Sequence, residues 1–335
     1  AIGRINRQRA LSSKRIKMIE DVIIKDILVE DRGVNKCVAG VIGFHVKTGK
    51  VVEIKAKAVI VATGGFQPYS FKCTSSDSTG DGIAMALRAG AKVADMEFQL
   101  FLPAVMVSPI HHRGSIFPFL WYIGGFARPE VINERGDSIT EQYDPYLLDL
   151  SFKSKWFKLI HAYYWAKSST KVYFNFSKTG WLQYRFSLIR ENVLLKMLYG
   201  NRWRYQGEDF RDLHEMVKVG KPWEVGLSSE YSMGGILVDE DMKSSVDGLY
   251  ACGEAASGFF GAFRAENALT EVLVEGEIAG KKASQYAKGS SATSIDKGEL
   301  VASINRMYGF NRGKASNVDY FEAERELEKL GKKGE

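Results

Sequence analysis

The chain has 335 residues, 45% of them apolar and 12% aromatic, so it can bury a large core and has room for two domains. Its formal net charge is +6, Lys and Arg are interleaved with Asp and Glu, and no segment joins a dense basic run to stacking aromatics, which excludes a dedicated nucleic-acid surface. The most apolar run, Ile116 to Phe126, is far shorter than the ~20 residues a bilayer-spanning helix needs and is broken by Pro118 and two glycines, so no transmembrane segment is expected.

The opening segment AIGRINRQRALSSKR is basic. From Ile19 onward EDVIIKDILVED, NKCVAGVIGFHV and GKVVEIKAKAVIVAT read as strands, joined by turns at Asp31-Arg32-Gly33 and Thr48-Gly49. The last strand is apolar and β-branched and runs into Thr63-Gly64-Gly65, which a plain tight turn would also explain. Thr79-Gly80-Asp81-Gly82 then opens GIAMALRAGAKV, whose apolar positions fit a helix packed on a sheet, with Asp81 placed as its N-terminal cap. From about His111 to Leu227 aromatics and basic residues become dense, as in KSKWFKLIHAYYWAKSSTKVYFNF, and the glycine punctuation stops. These aromatics read mostly as the core of an inserted domain or a partner surface.

After SMGGI (Ser232 to Ile236), the stretch VDGLYACGEAA (Val246 to Ala256) is a buried strand running into Gly253-Glu254. SGFFGAFRAEN follows, and NALTEVLVEGEIAGKKASQYA reads as a buried helix. A strand that ends in glycine and is followed by a helix start presents backbone to a nucleotide cofactor. From Ser291 the chain reads as a polar linker and then a charged helix, FEAERELEKL. Cys37, Cys73 and Cys252 have no CxxC spacing and no histidine at ligand intervals. They read as free thiols in a reducing, cytoplasmic setting, and neither an iron–sulfur cluster nor a metal-ligating set is expected on this chain.

Four landmarks in order carry a resemblance. They are VIVATGG (Val59 to Gly65), TGDGIAMALRAGA (Thr79 to Ala91) leading to ADMEF, SMGGI, and GLYACGEAA (Gly248 to Ala256) with its trailing GAFRAENAL. Through residues 20–110 and 229–285 the chain resembles the flavoprotein subunits of succinate dehydrogenase and fumarate reductase, with their relatives aspartate oxidase and adenylylsulfate reductase. The resemblance implies an α/β fold of the two-dinucleotide-binding-domain type holding FAD, with an inserted α+β capping domain. The expected division is residues 1–110 and 229–288 for the FAD-binding domain, 111–228 for the lid, and 289–335 for the start of a C-terminal helical region. The family's early strand–GxGxxG–helix unit is not found. A fragment is the favoured explanation over a degenerate member, because a sheet missing its first strand would expose an apolar edge.

By the same resemblance Thr63, Gly64 and Gly65 let backbone approach FAD, and Glu254, after Gly253, binds its ribityl or ribose hydroxyls. Asn267, Ala268 and Leu269 bring helix-start amides to the N1/O2 edge of the flavin. For Asp81, capping alone competes with a cofactor contact. Arg264 falls where the family clamps a substrate carboxylate, one residue nearer the asparagine than usual; a salt bridge to Glu266 or to a phosphate is the alternative. Other family positions differ here: Leu102 and Glu230 replace two histidines, Ser138 replaces an arginine in INERGDSI, and Lys153 and Lys155 are the cations nearest the lid arginine's place.

The expected function is an FAD-dependent oxidoreductase, with Arg264 and Glu230 as catalytic candidates. It would pass hydride between flavin N5 and a small organic acid or oxoanion and exchange electrons with an iron–sulfur partner subunit, through which alone it would meet a membrane. Fumarate or succinate turnover is doubtful, since each lost carboxylate-binding group costs about 2–5 kcal/mol. The alternative is a flavin-carrying electron-relay or scaffold subunit without its own substrate site.

Overall fold

The computed structural model describes residues 2–33, 35–66, 78–113, 129–139, 171–178, 180–186, 211–259, 268–291, 294–295, 298 and 300–305. Cys73, Lys153, Lys155, Arg264, Asn267, the apolar run 116–126 and the segment FEAERELEKL lie outside the described residues, as do the side chains of Leu102 and Glu230. The chain divides into two compact units, one built from residues 1–66, 77–99 and 232–320, the other chiefly from 100–231.

In the first unit the basic opening segment forms helix α1 (Ile2–Ser12), which is exposed along most of its length. The expected meander follows as β1 (Val22–Asp31), β2 (Lys36–His45) and β3 (Val51–Lys55), an antiparallel sheet in the order β1-β2-β3 with Ile27 opposite Val41 and Val41 opposite Ile54. The turn after β1 is an Asx turn in which the Asp31 carboxylate accepts from Gly33 N–H at 2.9 Å. A register shift between Ile24 and Asp26 brings the Asp26 carboxylate to 2.7 Å from Arg88 Nε of helix α2 (Asp81–Ala89).

Strand β4 (Val59–Val61) pairs in parallel with β11 (Leu249–Ala251), matching Val59 to Leu249 and Val61 to Ala251. The short strands β5 (Val93–Ala94) and β10 (Gly235–Ile236) pair antiparallel. Helix α4 (Ala268–Gly289) lies against the β4–β11 pair, burying the small residues Ala279 and Ala283. The core of this unit joins Val38, Val61, Ile83, Ala86, Ile236 and Leu249, so the sheet and α2 are held by burial of β-branched and small side chains.

The second unit holds β6 (Gln99–Ser108), β7 (Glu130–Ile132), β8 (Val172–Asn175) and β9 (Trp223–Ser232) in one sheet, ordered β6-β9-β8-β7, and helix α3 (Arg211–Lys218). Phe174 pairs with Trp223 across β8 and β9. Phe174, Phe176, Tyr184, Leu213 and Trp223 are each at most 3% exposed. At about 1.5–3 kcal/mol per fully buried large side chain, they outweigh exposed ion pairs such as Lys178–Glu130, worth about 0–1 kcal/mol. INERGDSI forms a tight reversal: Asn133 Oδ1 accepts from the N–H groups of Arg135 and Asp137, both at 2.9 Å, and Ser138 bridges back to Ile132.

Candidate cofactor site

The parallel strands β4 and β11 run into two neighbouring turns. β4 leads to Thr63-Gly64-Gly65, and β11 leads through Cys252 to the 3-10 turn Gly253–Ala255. Cys252 N–H donates to the Val61 carbonyl at 3.1 Å, so the two turns leave the sheet at the same level. Gly64 (φ 76) and Gly253 (φ 69) are left-handed, a conformation that L side chains resist.

Ser232 joins the turns. Its backbone N–H donates to Glu254 Oε1 at 2.8 Å, its hydroxyl donates to the same oxygen at 3.2 Å, and Phe66 N–H donates to Ser232 Oγ at 3.3 Å. Ser232 is fully buried and Glu254 partly so. Gly65 closes the cluster, since a Cβ there would stand 2.6 Å from Glu254 Oε1 and closer still to Ser232 Oγ. Three of the four landmarks thus meet in one hydrogen-bonded cluster. In the sequence Ser232 is only the start of SMGGI, and nothing local marks it as the joint.

Helix α2 begins beside this cluster. Gly80 N–H donates to the Gly65 carbonyl at 3.2 Å. The expectation that Asp81 caps the helix is corrected: the cap position is Gly80, left-handed at φ 76, and no side chain caps the helix. A side-chain cap needs extended backbone, and the reversal at Gly80 removes it. Asp81 is instead the first helical residue, exposed, accepting from Thr79 Oγ1 at 2.5 Å, at the end of the helix where a carboxylate is favoured. Thr63 packs under the same turn: a Cβ on Gly82 would stand 2.8 Å from Val61 Cγ1 and closer still to Thr63 Oγ1.

Helix α4 supports the second turn with carboxylates that sequence reasoning did not single out. Gly253 N–H donates to Glu275 Oε2 at 2.7 Å and Phe259 N–H to Glu271 Oε1 at 3.1 Å; Glu275 is 0% and Glu271 4% exposed. Their signal is in the sequence: Glu271, Glu275, Ala279 and Ala283 recur every four residues and form one buried stripe that carries charge. Burial, and after it the charge of Glu275, pushes the Cys252 thiol up from its ordinary range.

Of the expected site residues, the structure brings together Thr63, Gly64, Gly65, Gly253 and Glu254, with Asp81 at the neighbouring helix start. Ala268 and Leu269 open α4, with Leu269 exposed. Glu230 belongs to β9, two residues before Ser232, with its side chain outside the described residues, where Arg264 and Asn267 also lie. Ligands of open α/β sheets sit beyond the carboxyl ends of parallel strands, and helix starts favour anionic groups. Two strand ends, glycine turns, an anchored carboxylate and the start of α2 therefore fit a dinucleotide cofactor. Among the described residues no helix is long and apolar enough to cross a membrane.

Comparison with known proteins agrees with this geometry. The FAD binding domain family matches residues 4–120 and 202–268. The chain is 29% identical over 305 residues to an FAD-dependent oxidoreductase of Methanocaldococcus jannaschii, covering 87% of this chain and 50% of that one. It is 28% identical over 310 residues to the fumarate reductase flavoprotein subunit of Escherichia coli, covering 84% and 46%. The structure of Mycobacterium smegmatis Sdh1 in complex with UQ1 superposes with a TM-score of 0.65 at 26% identity, over 91% of this chain and 48% of that one. The chain spans about half the length of the curated relatives it matches. It belongs to the FAD-binding-domain family, within the superfamily of succinate dehydrogenase and fumarate reductase flavoproteins, and the cofactor of that family is FAD.

Proposed function

We propose that the chain is part of an FAD-dependent oxidoreductase that moves a hydride between flavin N5 and a small organic acid or oxoanion, exchanging the electrons with an iron–sulfur partner. The observation that carries this reading is the meeting of Gly65, Ser232 and Glu254 at the carboxyl ends of β4 and β11 in a chain of the FAD family. FAD, when bound, supplies the hydride-accepting centre.

The chain's own residues hold and orient. Thr63, Gly64, Gly65 and Gly253 let backbone come close, Glu254 accepts from sugar hydroxyls, and Asp81 belongs to the neighbouring helix start. Asn267, Ala268 and Leu269 are assigned, by the family resemblance, to the helix-start amides that meet the ring. Arg264 is assigned to clamp an anionic substrate group and Glu230 is the second catalytic candidate; residues 111–228 are assigned to the lid, inserted in the sequence between the flavin-binding parts 1–110 and 229–288. The partner is the route to any membrane association, with the protein itself cytoplasmic.

Leu102, Glu230 and Ser138 favour a second reading, in which the protein keeps flavin but relays electrons or scaffolds a complex. An absorption spectrum with acid release of the chromophore, followed by a substrate screen with an artificial electron acceptor, tests both. Recovered FAD with turnover of a small acid or oxoanion supports the first. Recovered FAD without turnover of any candidate favours the second, and a colourless full-length protein overturns the first and leaves only a scaffold without cofactor.

A further inference from the structure

The second unit brings a different chemistry together. His111 and His112 lie on the 3-10 turn Ile110–His112 that follows β6, and Asp212 lies in the first turn of α3. Both imidazoles turn Nε2 to the same carboxylate: His111 Nε2 is 2.8 Å from Oδ2 and His112 Nε2 is 2.8 Å from Oδ1 of Asp212. One ligand atom from each of the three lies within 4.8 Å of the others. We propose that His111, His112 and Asp212 form a binding site for a first-row divalent transition-metal cation of the zinc class. The proposal is independent of the flavin chemistry.

The donor set selects the cation. Two imidazole nitrogens and one carboxylate oxygen suit zinc, cobalt or nickel, whereas calcium and magnesium take oxygen ligands. Three protein ligands leave a fourth, tetrahedral position for water. Ligand atoms about 2.1 Å from zinc in a tetrahedron stand roughly 3.4 Å apart, so the 2.8 Å separation between an imidazole and the ligating Asp212 oxygen must widen by about half an ångström, and the other imidazole must shift toward that same oxygen's side. His111 can supply that movement because its side chain is 60% exposed, while His112 is fixed at 4% and Asp212 stands at 38%. The exposed side is also where a cation and its water would enter.

A purely hydrogen-bonded tie between the turn and α3 is the competing account. His112 alone, buried against Asp212, would make that tie. The exposed His111 contact adds little as an ion pair, about 0–1 kcal/mol. Consecutive residues of a 3-10 turn point about 120° apart, yet these rings stand 4.3 Å apart and converge on one carboxylate. The second imidazole is what a metal site needs and a tie does not. A bound cation would clamp the turn after β6 to the first turn of α3 and stabilise the second unit by mass action.

The test is made on the flavin-loaded protein, stripped with a chelator, equilibrated with zinc chloride and analysed for zinc per chain, affinity and melting temperature. His111→Asn and Asp212→Asn are measured beside it. We expect one zinc per wild-type chain, binding at least about 10-fold weaker in both variants, and a zinc-dependent rise in melting temperature in the wild type only. Because His111 is exposed, its replacement leaves the fold intact, and loss of binding there reports the site. No stoichiometric zinc in the wild type, equal affinity in His111→Asn, or magnesium binding as tight as zinc would each overturn the proposal.

Discussion

Glu254 is held by Ser232 from strand β9 and approached by Gly65 from the turn after β4, so its orientation is set before any ligand arrives. Removing a charged acceptor costs about 1.5–3 kcal/mol, and Glu254→Ala should therefore bind FAD about ten- to hundred-fold more weakly, read by fluorescence on reconstituting the apoprotein. Glu254→Gln keeps an oxygen toward Ser232 and should lose less; wild-type affinity in Glu254→Ala would remove this residue from the site. Gly65→Ala drives a methyl group into Ser232 Oγ and should cost about 1–3 kcal/mol in thermal or denaturant unfolding. Adding Ser232→Ala takes away the nearer of the two obstructing oxygens, leaving Glu254 Oε1, so the double variant should be more stable than the sum of the two changes, and strict additivity would argue against this contact. Cys252 answers to its surroundings in another way. Burial, then the charge of Glu275, raises its pKa, so at neutral pH it is mostly the unreactive thiol. Alkylation followed by peptide mass spectrometry should be slow at pH 7 and accelerate as pH rises; labelling as fast as in the unfolded chain would contradict the buried placement.

Helix α4 shows at the scale of elements what a sequence conceals. That it is a buried helix was legible, and so were the glycine-ended strands on either side of the site. The carboxylates Glu271 and Glu275 were not singled out; each accepts from backbone in the loop after β11, a partner that the four-residue spacing does not announce. The Ser232–Glu254 contact spans 22 residues and the Phe66–Ser232 contact 166, so both depend on tertiary pairing. Asp81 was misplaced for a physical reason: residue type suggested a cap, while the left-handed backbone at Gly80 decided it. The pairing of His111 and His112 with Asp212 was hidden in the same way, by about a hundred residues of intervening chain. Glu275→Ala would strand the Gly253 N–H without its acceptor and should cost about 1–3 kcal/mol while loosening the turn that precedes Glu254. Glu275→Gln keeps an acceptor of the same length. A melting temperature and flavin content near wild type in Glu275→Gln, with both reduced in Glu275→Ala, is the expected pattern; two variants that behave alike would mean the hydrogen bond to Gly253 is not what matters.

At the scale of the whole molecule, the first unit is interrupted where the chain leaves at Gln99 and returns at Ser232. The two ends stand together: Met233 N–H donates to the Phe98 carbonyl at 3.0 Å, and just beyond, β5 pairs with β10 through Ala94–Gly235 and Val93–Ile236. Chain that departs and returns through one antiparallel pair can be cut out and closed with a short turn. Replacing residues 100–231 by four Gly/Ser residues shortens the closing loop by about five halvings, each worth about 0.6 kcal/mol, so loop entropy favours the shortened chain by about 3 kcal/mol. The structural elements that surround Glu254 in the first unit, β4, β11, α2, α4 and Ser232 itself, all remain. The shortened protein is therefore expected to fold cooperatively, with the circular dichroism of a mixed α/β domain, and to keep the hydrogen-bonded cluster that presents Glu254. Any turnover that depends on residues 111–228 should disappear while flavin affinity falls by much less. Loss of folding would mean that the first unit relies on the insertion for its core, and turnover retained at the wild-type rate would remove the lid from the proposed reaction.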